Sequence, residues 1–185
     1  MRQDIELRAG LLQSIHAKLW NGDSMKSGFK KRKYRSIREF AADVWLLLRN
    51  GQQVLRILRN QTVAPDFRER LMLAVIAVYG CRFCSWAHTR EAFKSGISRD
   101  EIKSLLSGSM DDCPTEEAVA VMYAQHWADS DAKPTPESSR KLVDSYGPQK
   151  AQAVNLILRI IRVGNLTGNT WDYLLYRVSF GRLGA

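Results

Sequence analysis

Four side chains that can carry protons or electrons lie between Glu69 and His88, in the stretch ERLMLAVIAVYGCRFCSWAH. Cys81 and Cys84 are three positions apart, and His88 follows four positions later. Successive helical residues turn by about 100°, so these three side chains share one helix face. The i, i+3 spacing also brings the two sulfurs within range of a disulfide. The pattern therefore predicts a redox-active dithiol, with a second sulfur to resolve the oxidised intermediate.

Two physical effects compete to activate these thiols. A helix is predicted to begin around Cys81, where unpaired backbone N–H groups and the helix dipole favour a thiolate. His88 lies one turn beyond Cys84, where it can hydrogen-bond a sulfur or pass a proton. Glu69, on the preceding predicted helix, completes a proton relay with His88, which favours Cys84 instead.

Each of these residues also has a plainer interpretation. Glu69 follows Asp66 by three residues, so the two can form a capping pair at a helix start. Cys81, Cys84 and His88 could be three zinc ligands, with Cys113 as the fourth. Structural zinc sites usually draw their ligands from loops, however, and these three residues lie on one predicted helix. We therefore expect neither a metal nor a cofactor.

The segments that must position these residues all show helical periodicity, and we predict an all-α fold. Composition is that of an ordinary globular protein, with 45% hydrophobic and 25% charged residues in 185. The segment after Pro65-Asp66 is apolar on all sides, which indicates a buried central helix. The predicted helices span 3–20, 37–59 with a break at Asn50-Gly51, Pro65 to Gly80, Cys81 to Ser95-Gly96, Ser98 to Gly108, Pro114 to Ala128, Thr135-Pro136 to Gly147, 149–163 and 170–179.

Two units are expected along the chain. Residues 1–36 are predicted to form an N-terminal helix and a basic connector, and residues 37–185 a single all-α domain. The run from Lys26 to Arg38 holds seven basic residues and no acid, within a chain of net charge +9. Such a run can attract nucleic acid, but no nucleic-acid-binding motif accompanies it. We interpret it as a solvated connector and expect no nucleic-acid partner.

Further expectations concern surroundings and assembly. No apolar run approaches the roughly 20 residues that span a bilayer, so no membrane partner is expected. The N-terminus lacks the apolar core of a secretory signal, and the three cysteines do not form a disulfide scaffold, so we expect a cytoplasmic protein. Two predicted helices are apolar on all sides, which predicts a homo-oligomer that covers the surplus surface.

The residues also resemble a known family. In the alkylhydroperoxidase AhpD-like proteins of the carboxymuconolactone decarboxylase superfamily, a Glu is followed after twelve residues by a Cys, after three more by a second Cys and after four more by a His. Glu69, Cys81, Cys84 and His88 meet every interval. Weaker likeness extends over about residues 37–170, including Gly96-Ile97-Ser98 and the Gly164-Asn165 region.

The resemblance implies an all-α, oligomeric thiol oxidoreductase that reduces hydroperoxides or partner disulfides and draws electrons from a thiol donor. It implies that Cys84 attacks and Cys81 resolves, with Glu69 and His88 as the proton relay. The best-studied members carry a second His immediately before the attacking Cys, and Phe83 occupies that position here. Two alternatives remain open: a lyase of the decarboxylase branch, which typically lacks the Cys pair, and a non-catalytic metal-binding or interaction module.

Overall fold

The computed structural model describes residues 29–184, and within them the chain is helical with no strand. The predicted all-α fold is confirmed for this part of the chain. The predicted helix 3–20 and the first residues of the basic run lie outside the described residues. The helices are α1 (Ile37–Arg49), α2 (Gly51–Leu58), α3 (Pro65–Tyr79), α4 (Arg82–Lys94), α5 (Arg99–Ser107), α6 (Thr115–Asp129) and α7 (Pro136–Val178).

Helix boundaries follow capping chemistry in the sequence. Ser36, Ser98 and Thr135 are the N-caps of α1, α5 and α7, and each hydroxyl accepts a backbone N–H three residues later. Gly80 ends α3 in the left-handed conformation, with φ of 68°, where a glycine is the residue without steric penalty. The predicted breaks at Asn50-Gly51 and Gly80 are therefore confirmed.

Helix α3 is the centre of the fold, as its apolar sequence predicts. It packs against α4, α5, α6 and α7. Its buried side chains point to all sides of the helix rather than along one stripe. This central position places Glu69, near the start of α3, beneath the helix that carries the two cysteines.

The start of α3 differs from the prediction, because Asp66 is not its N-cap. The cap is Ala64, and Pro65 occupies the first helical turn. A residue before proline favours an extended backbone, and Ala64 has ψ of 142°, so the N-cap lies two residues earlier than predicted. The Asp66 carboxylate accepts a hydrogen bond from Arg70 at 2.8 Å. The capping-pair interpretation of Glu69 is thus wrong, since its partner Asp66 lies inside the helix.

The last two predicted helices are a single continuous element. Helix α7 bends at Gly147, which has φ of 76° and is followed by Pro148, and then continues to Val178. The predicted break between 163 and 170 is wrong. Gly164 and Gly168 lie inside the helix, facing the sulfurs of Cys84 and Cys81, and only at Gly168 would a side chain meet the sulfur too closely. Tertiary packing here outweighs the weak helix propensity of glycine.

A buried ion-pair cluster fixes α1 against α7. The Arg162 side chain is 3% exposed and donates from Nε to Asp43 at 3.0 Å and from Nη2 to Glu39 at 2.8 Å. Its Nη1 donates to Tyr79 at 2.7 Å and to Asp131 at 2.6 Å. Because Tyr79 directly precedes the turn that holds Cys81, this cluster also anchors the approach to the candidate site.

Candidate active site

The two cysteines lie where one helix ends and the next begins. Gly80 turns the chain sharply after α3, and Cys81 becomes the N-cap of α4. The Cys81 sulfur accepts the backbone N–H of Cys84 at an N···S distance of 3.4 Å. Both side chains are buried, with 2% of Cys81 and 6% of Cys84 exposed. The predicted helix start at Cys81 therefore agrees with the structure to within one residue.

The first cysteine carries the more acidic thiol. The pKa of Cys81 is lowered to about 7, first because the Cys84 thiol donates a hydrogen bond to its sulfur and then because backbone N–H groups do so. Burial opposes this effect. The pKa of Cys84 is raised by the same hydrogen bond, by burial and by the charge on Cys81. Within the pair, these hydrogen bonds favour a thiolate on Cys81 over a thiolate on Cys84.

Helix α7 closes one side of the pair through two glycines. A Cβ built on Gly168 would lie 2.8 Å from the Cys81 sulfur, closer than van der Waals contact allows. A Cβ on Gly164 would lie 3.8 Å from the Cys84 sulfur, an ordinary contact distance. The Cys81 sulfur therefore faces a helix backbone at close range, whereas more space remains around the sulfur of Cys84.

The proposed relay residues form a hydrogen-bonded pair. Oε2 of Glu69 lies 2.7 Å from Nδ1 of His88, and Oε1 accepts two hydrogen bonds of 3.1 Å from Arg68. Glu69 is 1% exposed, so Arg68 and His88 supply the partners that a buried carboxylate requires. Within residues 29–184, His88 makes no hydrogen bond to a sulfur. Because Nδ1 is hydrogen-bonded to Glu69, Nε2 is the ring nitrogen that can face a reactant.

The residue directly before Cys84 is a phenylalanine, which cannot transfer a proton. Phe83 is 71% exposed, and its ring packs near that of Trp86 with centroids 5.9 Å apart. The guanidinium of Arg90 lies over the other aromatic ring, at 5.2 Å from the Trp86 centroid. The pair leaves an aromatic surface beside the thiols and supplies no titratable group there.

Cys113 does not join the other two cysteines. It is half-buried at the start of α6, where burial and the charge of Glu117 raise its pKa to about 11. Across the described part of the chain, no three His, Cys, Asp or Glu side chains are grouped as metal ligands would be. The geometry therefore does not support the four-ligand zinc interpretation with Cys81, Cys84, His88 and Cys113.

Three residues that position the candidate site were not predicted from the sequence. Gly168 admits the Cys81 sulfur, and Asn169 donates to the Tyr79 carbonyl at 2.8 Å, which holds the turn before Cys81. Asp172 accepts a hydrogen bond of 3.1 Å from Arg82, between the two cysteines. The spacing of Gly164 and Gly168 by four residues was a usable signal, since it marks a small-residue stripe along one helix face.

Comparison with known proteins identifies a family for part of the chain. Residues 45–126 match the model of the carboxymuconolactone decarboxylase family. The segment runs from α1 to α6 and contains Glu69, Cys81, Cys84 and His88, so the recognised carboxymuconolactone decarboxylase superfamily is confirmed for this segment. No curated protein and no solved structure gives a significant match. Among the described helices, none is long and apolar enough to cross a membrane.

Proposed function

We propose that this chain, with its carboxymuconolactone decarboxylase-family segment, is a thiol-dependent oxidoreductase that reduces hydroperoxides or partner disulfides. The observation that supports the proposal best is the Cys81–Cys84 dithiol at the start of α4, with the Glu69–His88 pair on the adjoining helices. The family match supports an enzyme of the alkylhydroperoxidase-like or the decarboxylase type. The dithiol favours the first of these.

In the proposed first step, Cys84 attacks the hydroperoxide. Its thiol proton passes to Nε2 of His88, whose Nδ1 is held by Glu69. The Cys84 sulfur then bonds to the distal peroxide oxygen, the O–O bond breaks, and the leaving alkoxide takes a proton from His88 to become an alcohol. Greater space at Cys84 favours it as the attacking sulfur, because Gly168 closes the side of Cys81.

In the second step, Cys81 resolves the sulfenic acid on Cys84. The Cys81 thiolate forms the S–S bond, the S–O bond breaks, and the hydroxide that leaves takes a proton from solvent to become water. The dithiol has then lost two electrons, and the hydroperoxide has become alcohol and water. An external thiol donor restores the dithiol by exchange. Because this cycle requires a reducing compartment, we propose a cytoplasmic location.

The direct test follows the thiols during one turnover. Purified protein is treated with one equivalent of tert-butyl hydroperoxide, and the remaining thiols are counted and mapped by mass spectrometry. We expect Cys81 and Cys84 to be lost together as a disulfide and recovered with dithiothreitol, while Cys113 stays reduced as an internal reference. Retention of both thiols, with or without a bound metal, would contradict the proposal.

The family match also favours a second candidate, a lyase of the decarboxylase branch. Such an enzyme needs no thiol pair, and its activity would survive replacement of both cysteines by serine. The double variant Cys81→Ser/Cys84→Ser therefore separates the candidates: loss of peroxide reduction supports the oxidoreductase, and retained decarboxylation of a carboxymuconolactone supports the lyase.

A further inference from the structure

A basic segment lies along the C-terminal half of α7. We call residues 29–36 the basic strap. Its Phe29 ring contacts the ring of Tyr173 with centroids 5.3 Å apart, and the Tyr34 backbone N–H donates to Thr170 at 3.2 Å. Arg32 donates to the side chain of Asp129 at 3.1 Å. The prediction of a solvated connector is therefore wrong for residues 29–36, which are held against α6 and α7 by these contacts.

The basic strap and the cysteine-bearing turn meet on two side chains of α7, one helical turn apart. Asn169 donates at 2.8 Å both to the Arg32 carbonyl of the strap and to the Tyr79 carbonyl before the turn. Asp172 accepts one hydrogen bond of 3.1 Å from Lys31 of the strap and another of 3.1 Å from Arg82. Each side chain thus bridges the same two segments.

Asp172 carries the charge in this arrangement. Its side chain is 16% exposed. The hydrogen bond between the two cysteines and their burial have the larger effects on the pKa of each thiol, and the negative charge of Asp172 adds a smaller effect that raises both pKa values. Lys31 and Arg82 oppose that influence, because each places a positive charge on one carboxylate oxygen. Among residues 29–184, the other charged or titratable groups on the helices packed around the pair include Glu69 with Arg68 on α3 and His88 on α4.

We propose that Asp172 is a positioning residue for the thiol pair and that the basic strap regulates the pair through Lys31, which neutralises Asp172. The inference rests on the proposed dithiol chemistry and names how that site is tuned. With the strap docked, the Asp172 charge is balanced and the Cys81 thiolate is favoured. With Lys31 removed from Asp172, the carboxylate acts on the sulfurs opposed by Arg82 alone, and the thiolate is disfavoured.

Thiol alkylation as a function of pH tests this directly, without any peroxide turnover. Full-length protein in a Cys113→Ser background is treated with iodoacetamide, and alkylation of Cys81 is followed by mass spectrometry. Lys31→Met removes the charge and keeps an apolar stem. Lys30→Met is the matched control, since Lys30 belongs to the same basic strap but is exposed and makes no hydrogen bond or ion pair among the described residues.

We expect Lys31→Met to raise the pKa of Cys81 by about half a pH unit, so alkylation slows about threefold at pH 6.5 and is unchanged at pH 10. Asp172→Asn should shift the profile the other way and speed alkylation about twofold at pH 6.5. Lys30→Met should match the wild type.

Equal profiles for Lys31→Met and Lys30→Met would overturn the inference, as would slowing by Lys31→Met that is the same at every pH. Failure of the oxidoreductase proposal would look different. In that case the alkylation profiles could still shift as expected while hydroperoxide left both thiols intact.

Discussion

The carboxylate of Glu69 lies 2.7 Å from Nδ1 of His88, across the packing surface between α3 and α4. Nineteen residues separate the two along the chain, so their contact depends on the turn at Gly80 that folds α4 back onto α3. The contact orients the imidazole, because Nδ1 is committed to the carboxylate and Nε2 is left for a reactant. A buried acid that fixes a histidine in this way is the arrangement a proton relay requires.

Replacing Glu69 with Gln tests the relay. The amide keeps the size of the side chain but no longer acts as an anionic acceptor for His88, so we expect the hydroperoxide reaction to slow by about 10²-fold. Stopped-flow measurement of thiol oxidation gives the rate. Glu91→Gln is the control, because Glu91 pairs with Lys94 on the surface of α4, the helix that carries His88. A wild-type rate in Glu69→Gln would mean that Glu69 has only a structural part.

A pair of glycine substitutions tests the close approach of α7 to the sulfurs. Gly164→Ala should stabilise the protein by up to about 1 kcal/mol, because alanine is the better helix former and its Cβ fits at 3.8 Å. Gly168→Ala should lose that gain, since its Cβ meets the Cys81 sulfur at 2.8 Å. Displacing this sulfur weakens its hydrogen bond from Cys84, so the pKa of Cys81 should rise. Chemical denaturation and thiol alkylation measure the two effects, and equal behaviour of both variants would contradict the geometry.

The buried ion pairs of α7 predict a large stability effect. Asp43→Ala leaves Arg159 and Arg162 without a carboxylate that both of them contact, at 2.6 Å and 3.0 Å. We expect the free energy of unfolding to fall by about 3–5 kcal/mol, as when one partner of a buried pair is removed. Asp100→Ala breaks an exposed pair with Lys103 and should cost less than about 1 kcal/mol. Urea denaturation compares the two variants, and similar losses would argue against the cluster as an anchor.

Exposed apolar side chains support the expectation of a homo-oligomer, which we retain as a proposal. Trp45, Phe83 and Trp171 are each more than half exposed in the single chain. Burial of such rings between subunits would stabilise an assembly. Light scattering at micromolar concentration should give a mass of at least twice 21.1 kDa. A clean monomer would remove this proposal.

The sequence predicted those features that depend on local chemistry. Capping by Ser98, the turn at Gly80 and the buried α3 all follow from residue type and spacing, and each is confirmed. The continuity of α7 could not be predicted, because Gly164 and Gly168 have weak helix propensity and the packing that offsets it is not visible in the sequence. Likewise, no local pattern connects Lys31 to Asp172, which lie 141 residues apart.

The relative roles of the two cysteines show where sequence and structure each contribute. The spacing from Glu69 to His88 predicted four candidate site residues, and the fold brings Glu69 to His88 and Cys81 to Cys84. The structure adds that a thiolate is favoured on Cys81, whereas α7 leaves more space beside the sulfur of Cys84. The lower pKa therefore favours Cys81 as the attacking sulfur, whereas the greater space favours Cys84. Our proposal assigns the attack to Cys84 because of that space.

The central measurement is the reaction of the two single variants with hydroperoxide, in a Cys113→Ser background. Each variant is mixed with tert-butyl hydroperoxide at neutral pH, and the remaining active-site thiol is followed by mass spectrometry. The proposal predicts that Cys81→Ser is oxidised readily and stalls as a sulfenic or over-oxidised acid on Cys84, since the resolving sulfur is gone. Cys84→Ser should stay almost inert. Rapid oxidation of Cys84→Ser beside an inert Cys81→Ser would contradict the proposal and assign the attack to the thiolate at the helix start.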